Sequence, residues 1–523
     1  MLEEALVKYA LALSYEPRLV HPWLRIGYIY LVGLLWQQGI EALQTALALE
    51  PDSPEGLRYL AYAEFNLGRL DKAKQVIDRA ARLSNDSATW VMRAYIHSNI
   101  DKDPQRTLEV YSDWGRRVPD RLTAAAKPLV VADRDPRRKL RIGYVTADFR
   151  QHSIAFFMMP VLAHHNHANV DVHVFSSGGV DDITMSMRKL VPHWHNVNEL
   201  DHNALLEYIR AQRIDVLIDL SGHTLGERLA VFAMRAAPVQ VTWLGFMNTL
   251  GMKGMDYRLT DYGMDPAGRE KYYVETLFRL NCMASYAPPL HSPLRETPPM
   301  LEAGIPTLVS LNNSLKITQE MLLLWGCILE ARPDARLLVM VKERTPEAAQ
   351  EAMQNRIEAA GLPLDRVFVM HQQALEQFME MGHIADVALD TSPISGGTTT
   401  LHALWMGLPI VAMDGERGTD ASTARILQGM GLGDWVAANE GDYVAKALEW
   451  MGDPQKLLKR RAEAREQMRQ TSLMDYRTGT VELEKAFRFM WLNYLRGDQK
   501  YLDLLTDIEP ELEKAESQTA LIP

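Results

Sequence analysis

Two short segments carry residue types suited to an anionic ligand. The first, Asn312-Asn313-Ser314-Leu315-Lys316-Ile317-Thr318, places amides, hydroxyls and one lysine ahead of a helical run. The second, Asp390-Thr391-Ser392-Pro393-Ile394-Ser395-Gly396-Gly397-Thr398-Thr399-Thr400, leads into the helical run through Trp405. Gly396 and Gly397 let the backbone approach a ligand closely. Thr398 and Thr399 stand at a helix start, where main-chain amides point at anions. A lysine beside such a helix start suits a diphosphate, although on spacing alone Lys316 reads equally as a solvated surface lysine. Neither segment fits the Walker or GxGxxG phosphate fingerprints, which argues against a P-loop NTPase and a dinucleotide dehydrogenase.

The other chemistry-bearing residues point to less. His164, His165 and His167 are close in sequence but lack acidic companions and helical ligand spacing, so they read as a solvated helix end. His193 and His195, flanking Trp194, read as packing or solvent-facing residues. Two cysteines, Cys282 and Cys327, cannot make a disulfide framework or a four-cysteine zinc site, and a reducing compartment fits them. No metal site is expected.

These loops need elements to hold them. From Leu140 onward short β-branched runs alternate with helical segments: 140–145, 170–175 and 216–220, then again 307–311, 337–341, 367–370, 387–389 and 410–413. Strands alternating with helices predict parallel α/β sheets, here two Rossmann-like lobes whose strand carboxyl ends line one cleft. Ahead of them lies a repeat. Glu16-Pro17, Glu50-Pro51 and Ser84-Asn85 fall 34 residues apart, as do Ala12, Ala46 and Ala80. A 34-residue unit of two helices looks like a tetratricopeptide repeat, which cannot bury its apolar face alone and so stacks. The expected division is repeats over 1–117, a charged linker over 118–139, a first lobe over 140–290, a second lobe over 291–500 and a flexible tail over 501–523.

Length and composition agree. At roughly 150 residues per domain, 523 residues make three or four units. The 47% hydrophobic residues supply cores for them. A balance of 56 basic to 67 acidic residues, net charge -11, disfavours a dedicated nucleic-acid binder. The acidic start and the absence of a long uninterrupted apolar run give no secretory signal or membrane span, and a cytoplasmic location is expected.

Four stretches together resemble glycosyltransferase family 41, the protein glycosyltransferases that include O-GlcNAc transferase and the plant SPINDLY branch. They are Ile142 to Phe149 with His152; Asp219 to Thr224 with Gly226 and Arg228; Arg235 to Phe246 with Met255-Asp256-Tyr257; and the Lys316 and Thr398-Thr399 loops, worded closest to SPINDLY. The resemblance covers nearly the whole chain. It implies a tetratricopeptide solenoid followed by a GT-B region. It also implies an inverting transfer of a sugar, GlcNAc from UDP-GlcNAc, to protein Ser/Thr side chains, with the repeats recruiting the protein acceptor. No metal is required, because protein cations and helix dipoles take the diphosphate charge. Lys316 would neutralise the leaving diphosphate and Thr398 and Thr399 would hold its phosphates. Asn312, Asn313, Gly396 and Gly397 would complete the donor site. His152 matches a histidine at the cleft mouth, a positioning residue or a base; Glu207 falls near another acidic position but reads as a solvated face. Three positions depart from the family. Gly397 stands where a histidine is common, His402 replaces an acidic ribose ligand, and Phe378 replaces a donor-side histidine, free to stack on a base. They keep open a GDP-fucose O-fucosyltransferase, an asparagine N-glucosyltransferase and a non-catalytic repeat scaffold. Oligomeric state is not legible.

Overall fold

The computed structural model describes residues 2–341, 343 and 345–497; the tail expected over 501–523 lies outside them. Seven helices open the chain: Leu2–Tyr15, Val20–Val32, Trp36–Leu49, Pro54–Asn66, Leu70–Leu83, Ser87–Ile100 and Pro104–Arg117. Neighbours pack because small residues sit where they cross. Ala46, Ala63, Ala73 and Ala80 are fully buried. A side chain on Gly27 would strike Leu43, and one on Gly39 would strike Leu31. The first helix buries only Leu13.

The segment expected to be a linker is partly structured. Pro119–Ala125 is an eighth helix, and Asp120 Oδ1 accepts from the Lys253 amide at 2.9 Å. Arg138 then clamps Asp215 through two guanidinium nitrogens at 2.7 and 2.5 Å.

Seven parallel strands form the first sheet: β1 (Leu140–Thr146), β2 (Val170–Ser176), β3 (His193–Asn196), β4 (Val216–Asp219), β5 (Val239–Thr242), β6 (Tyr257–Asp261) and β7 (Thr276–Leu280). Their order is β3-β2-β1-β4-β5-β6-β7. The second sheet has β8 (Thr307–Ser310), β9 (Arg336–Met340), β10 (Val367–Met370), β11 (Val387–Leu389), β12 (Ile410–Met413) and β13 (Val436–Ala437). Its order is β10-β9-β8-β11-β12-β13. Both are doubly wound, and the strand order reverses at β1/β4 and at β8/β11. Loops leaving the carboxyl ends at such reversals form the crevice where ligands of these sheets bind.

The last described helix, Tyr476–Arg496, departs from the expected division. Its Phe487, Phe489, Met490 and Trp491 pack in the core of the first sheet with Ile142, Tyr144 and Phe278. Arg134 donates to the Leu495 carbonyl at 2.9 Å, and Arg488 to those of Pro136 and Arg138. The chain thus returns from the second lobe to finish the first. A strongly apolar face on this helix finds its matching surface there.

The repeats are not a free arm. The Pro104–Arg117 helix meets the first lobe so closely that a Cβ on Gly115 would lie 1.8 Å from the Gly251 carbonyl oxygen. Tyr111 stacks on His223 with centroids 4.9 Å apart, and Trp114 meets the same ring edge-on at 4.5 Å. From the second lobe Arg417, paired with Asp420 at 2.7 Å, donates to the Asp101 carbonyl at 2.6 Å and to Thr107 Oγ1 at 3.1 Å.

Candidate functional site

The two loops picked out above leave β8 and β11, the pair flanking the reversal of the second sheet. After β8, Asn313 Oδ1 accepts from the Leu315 amide at 3.2 Å and so starts the single 3-10 turn Ser314–Lys316. That turn carries Lys316 across to the second loop, where Nζ donates to the Ser395 carbonyl at 2.7 Å. Burial pulls the ammonium pKa below its ordinary value, and the nearby Asp390 carboxylate opposes the shift.

Asp390 organises the second loop. Its Oδ1 accepts from the Gly396 amide and from Asn312 Nδ2, each at 2.8 Å. Asn312 Oδ1 in turn accepts from Thr399 Oγ1 at 3.1 Å. Thr400 Oγ1 and Thr423 Oγ1 are 2.7 Å apart, and Ser395 Oγ donates to the Thr419 carbonyl at 3.1 Å. Gly396 is required here, because a Cβ would sit 2.5 Å from Thr400 Oγ1 and 2.9 Å from Thr399 Oγ1. Pinned in this way, the chain turns at Gly397 into the helix Thr398–Trp405, whose start no side chain caps. The first-turn amides and Thr398 are left to a ligand, with the positive end of the helix dipole behind them.

Lys316, Ser395 to Thr398 and Leu401 form one wall of a cleft of about 470 Å³; Phe157, Leu244, Met247, Asp261 and Met283 of the first lobe form the opposite wall. Asp261 is the only acidic side chain lining it among the described residues. Burial raises its pKa, while its oxygens accept from the Met264 and Met283 amides at 2.7 and 2.9 Å. Sequence reading passed over Asp261. Its one signal is its place at the carboxyl end of a strand.

Lys316, Gly396, Gly397 and Thr398 therefore share one wall, with Thr399 directly behind it. Asn312 and Asn313 bind the protein's own loops rather than facing the cleft. His402 is also behind the wall. Its Nδ1 is 2.6 Å from the Tyr286 hydroxyl, and Phe156 and Phe378 meet its ring edge-on at 4.9 and 5.9 Å. Burial lowers its pKa to about 4, so the ring is neutral. Packed against Phe378, it stands where a ribose ligand was expected, but the wall there is Leu401. Phe378 is likewise committed to His402. His152 starts the helix Ser153–His164, accepting from the Ile154 amide at 3.4 Å, with Asp148 Oδ1 3.8 Å away. It is on the loop after β1 and outside the residues lining the cleft. Glu207 is exposed, its nearest cation Arg210 at 3.9 Å.

A family model described as glycosyl transferase family 41 matches residues 125–284 and 305–483, and a tetratricopeptide-repeat model matches 36–92. The chain belongs to glycosyltransferase family 41. Among relatives of this family 41 chain, the probable UDP-N-acetylglucosamine–peptide N-acetylglucosaminyltransferase SPINDLY of Solanum lycopersicum is 33% identical over 84% of the chain and 48% of its own length. The SPINDLY protein of Arabidopsis thaliana is 33% identical over 83% of the chain and 48% of its own. The chain thus spans about half the length of these curated relatives. A solved lysine-to-methionine mutant of the Thermobaculum terrenum O-GlcNAc transferase superposes with a TM-score of 0.85 at 30% identity, covering 94% of both chains. Two doubly wound sheets behind helical repeats are therefore the family architecture, as expected from sequence. No described helix is long and apolar enough to cross a membrane.

Proposed function

We propose that this chain is a metal-independent, inverting protein glycosyltransferase that moves GlcNAc from UDP-GlcNAc to Ser/Thr hydroxyls, its repeats recruiting the acceptor. The observation that carries the reading is the juxtaposition of Lys316 with the uncapped start of the Thr398–Trp405 helix on one cleft wall. Transfer breaks the bond from the anomeric carbon to the diphosphate and leaves negative charge on the phosphate oxygen. A buried ammonium and fixed main-chain amides stabilise charge that develops there, and they need no reorganisation as it forms. Lys316, the Thr398 and Thr399 amides and the Thr398 hydroxyl are the groups assigned to the diphosphate. The acceptor hydroxyl attacks from the opposite side of the sugar, facing the first lobe. The activity named for the SPINDLY relatives supports the choice of donor.

The test is calorimetric titration with uridine and guanosine diphosphates, followed by mass spectrometry of a protein acceptor incubated with UDP-GlcNAc in excess chelator. Uridine diphosphate binding and a GlcNAc-sized mass gain in chelator support the reading. Binding of guanosine diphosphate alone moves the donor to a GDP-sugar. Binding of neither leaves a repeat scaffold. Activity abolished by chelator and restored by a divalent ion overturns metal independence.

A further inference from the structure

On the edge of the first sheet, far from the cleft loops, two adjacent strands bring histidines together. β2 and β3 pair in parallel with His173 opposite His193 and Phe175 opposite His195. Alternate residues of a strand share a face. Asp171 and His173 of β2 therefore lie on the same face as His193 and His195 of β3. The rings of His173 and His193 stack with centroids 4.3 Å apart and planes 22° from parallel. Asp171 Oδ1 is 3.1 Å from His193 Nε2, and Oδ2 is 3.5 Å from His173 Nε2. One ligand atom from each of the three residues falls within 4.8 Å of the others.

One atom in this group is left over. His173 is 5% exposed, and its buried Nε2 makes no hydrogen bond. Its other nitrogen belongs to a hydrogen-bonded chain that can run in either direction. His173 Nδ1 is 3.1 Å from His195 Nε2, and His195 Nδ1 is 2.9 Å from the Tyr208 hydroxyl. If each Nδ1 carries the proton, the chain donates outward in one direction, His173 to His195 to Tyr208. That tautomer leaves a lone pair on His173 Nε2, aimed at a carboxylate that cannot donate to it. A metal ligand's second nitrogen is held by the same kind of outward hydrogen bond. Ligand atoms on a tetrahedral ion with bonds of about 2.0–2.2 Å lie roughly 3.3–3.6 Å from each other; the 3.5 Å separation falls in that range and the 3.1 Å separation just below it.

We propose that Asp171, His173 and His193 bind one divalent transition-metal ion of the zinc class, with water in the fourth position. Two imidazoles and one carboxylate suit zinc better than calcium or magnesium, which take oxygen donors. The site is open on the His193 side, whose side chain is 43% exposed. Arg141 Nε, 4.0 Å from Asp171 Oδ2, is the competing cation on the adjoining strand. Asp171 is near the amino end of β2, whereas the cleft loops leave the carboxyl ends. The ion therefore fastens edge strand β3 to β2 and takes no part in sugar transfer.

The experiment is titration of chelator-treated full-length protein with zinc chloride by calorimetry, repeated with cobalt(II) to read its visible absorption. The expected result is one zinc per chain, with cobalt bands of a four-coordinate site. His193→Asn keeps a donor for Asp171 at an exposed position, and Asp171→Asn keeps shape. Each should weaken zinc binding by more than the roughly 10–100-fold that loss of an outer-sphere partner costs, while uridine diphosphate binding stays as in wild type. No zinc uptake by wild type, or unchanged uptake in both variants, overturns the proposal.

Discussion

Lys316 Nζ and the Ser395 carbonyl oxygen are 2.7 Å apart, so the cation of one loop is fastened to the backbone of the other three residues before a helix begins. This contact fixes the ammonium position before any ligand arrives, which is the condition for electrostatic catalysis without reorganisation. The Lys316→Met protein should lose about 10²- to 10³-fold in turnover, the scale for removing one group that stabilises developing charge. Its melting temperature should not fall appreciably, because burial already disfavours the charged amine. Near-normal turnover by a purified, folded mutant would remove Lys316 from the chemistry.

The two adjacent glycines should behave differently. A methyl on Gly396 meets Thr400 Oγ1 at 2.5 Å, whereas on Gly397 the nearest atom, Ser422 Oγ, is 3.6 Å away. Gly396→Ala should cost about 1–3 kcal/mol of stability, as overpacking does, and weaken diphosphate binding by displacing the helix start. Gly397→Ala should leave the melting temperature unchanged. Equal thermal shifts for the two would contradict the loop geometry.

His223 gives a pH signature at the junction of repeats and first lobe. Burial lowers its pKa from 6.5 to about 4, while Nε2 faces the Leu250 carbonyl at 2.9 Å. A histidine with a depressed folded-state pKa adds stability that is complete above pH 6.5 and is lost as pH falls through 4. His223→Gln cannot titrate. The melting-temperature advantage of wild type over His223→Gln should be widest above pH 6.5 and narrow as the pH falls towards 4. A gap independent of pH would show that the imidazole does not titrate between the two states.

Truncation should be tolerated unevenly along the repeats. Tyr111 and Trp114 are buried against the lobes, and Arg417 Nη1 donates to the Ser87–Ile100 and Pro104–Arg117 helices and the turn between them. A chain starting at Asp86 should fold and bind uridine diphosphate. One starting at Val118 should aggregate, because it bares His223 and Phe246 and leaves Nη1 of the buried Arg417 guanidinium without its acceptors. Trp114→Ala in the full chain should cost about 3–5 kcal/mol. Gel filtration and diphosphate titration of the two truncations check this. A monomeric, fully stable 118–523 fragment would contradict it.

What could be read from sequence follows the range of the interaction concerned. Repeat spacing and strand–helix alternation are local patterns, and they foretold both sheets and the stacked helices. Lys316 and the Gly396-Gly397-Thr398 turn were legible because each loop carries its own chemistry. Asn312 was less so: an amide beside a lysine suits a ligand, but whether it faces the cleft depends on Asp390, 78 residues away. Nothing near His402 in sequence announces its partner Tyr286, 116 residues away. The Asp171, His173 and His193 group was invisible because its spacing exists only across paired strands. His223 sits in a motif quoted for the family, yet its neighbours Tyr111 and Trp114 come from the repeats.

The return of the Tyr476–Arg496 helix to the first sheet sets an order of events during synthesis. Leu280, the last residue of the first sheet, leaves the ribosome about 200 residues before Tyr476 does. At roughly 5–20 residues per second, that is an interval of about 10–40 s. Throughout it, the sheet surface that Phe487, Phe489 and Trp491 cover in the finished protein has no partner. The first lobe is therefore translated early and completed late. A nascent chain stalled before residue 476 is the form in which chaperones would find an apolar surface to hold.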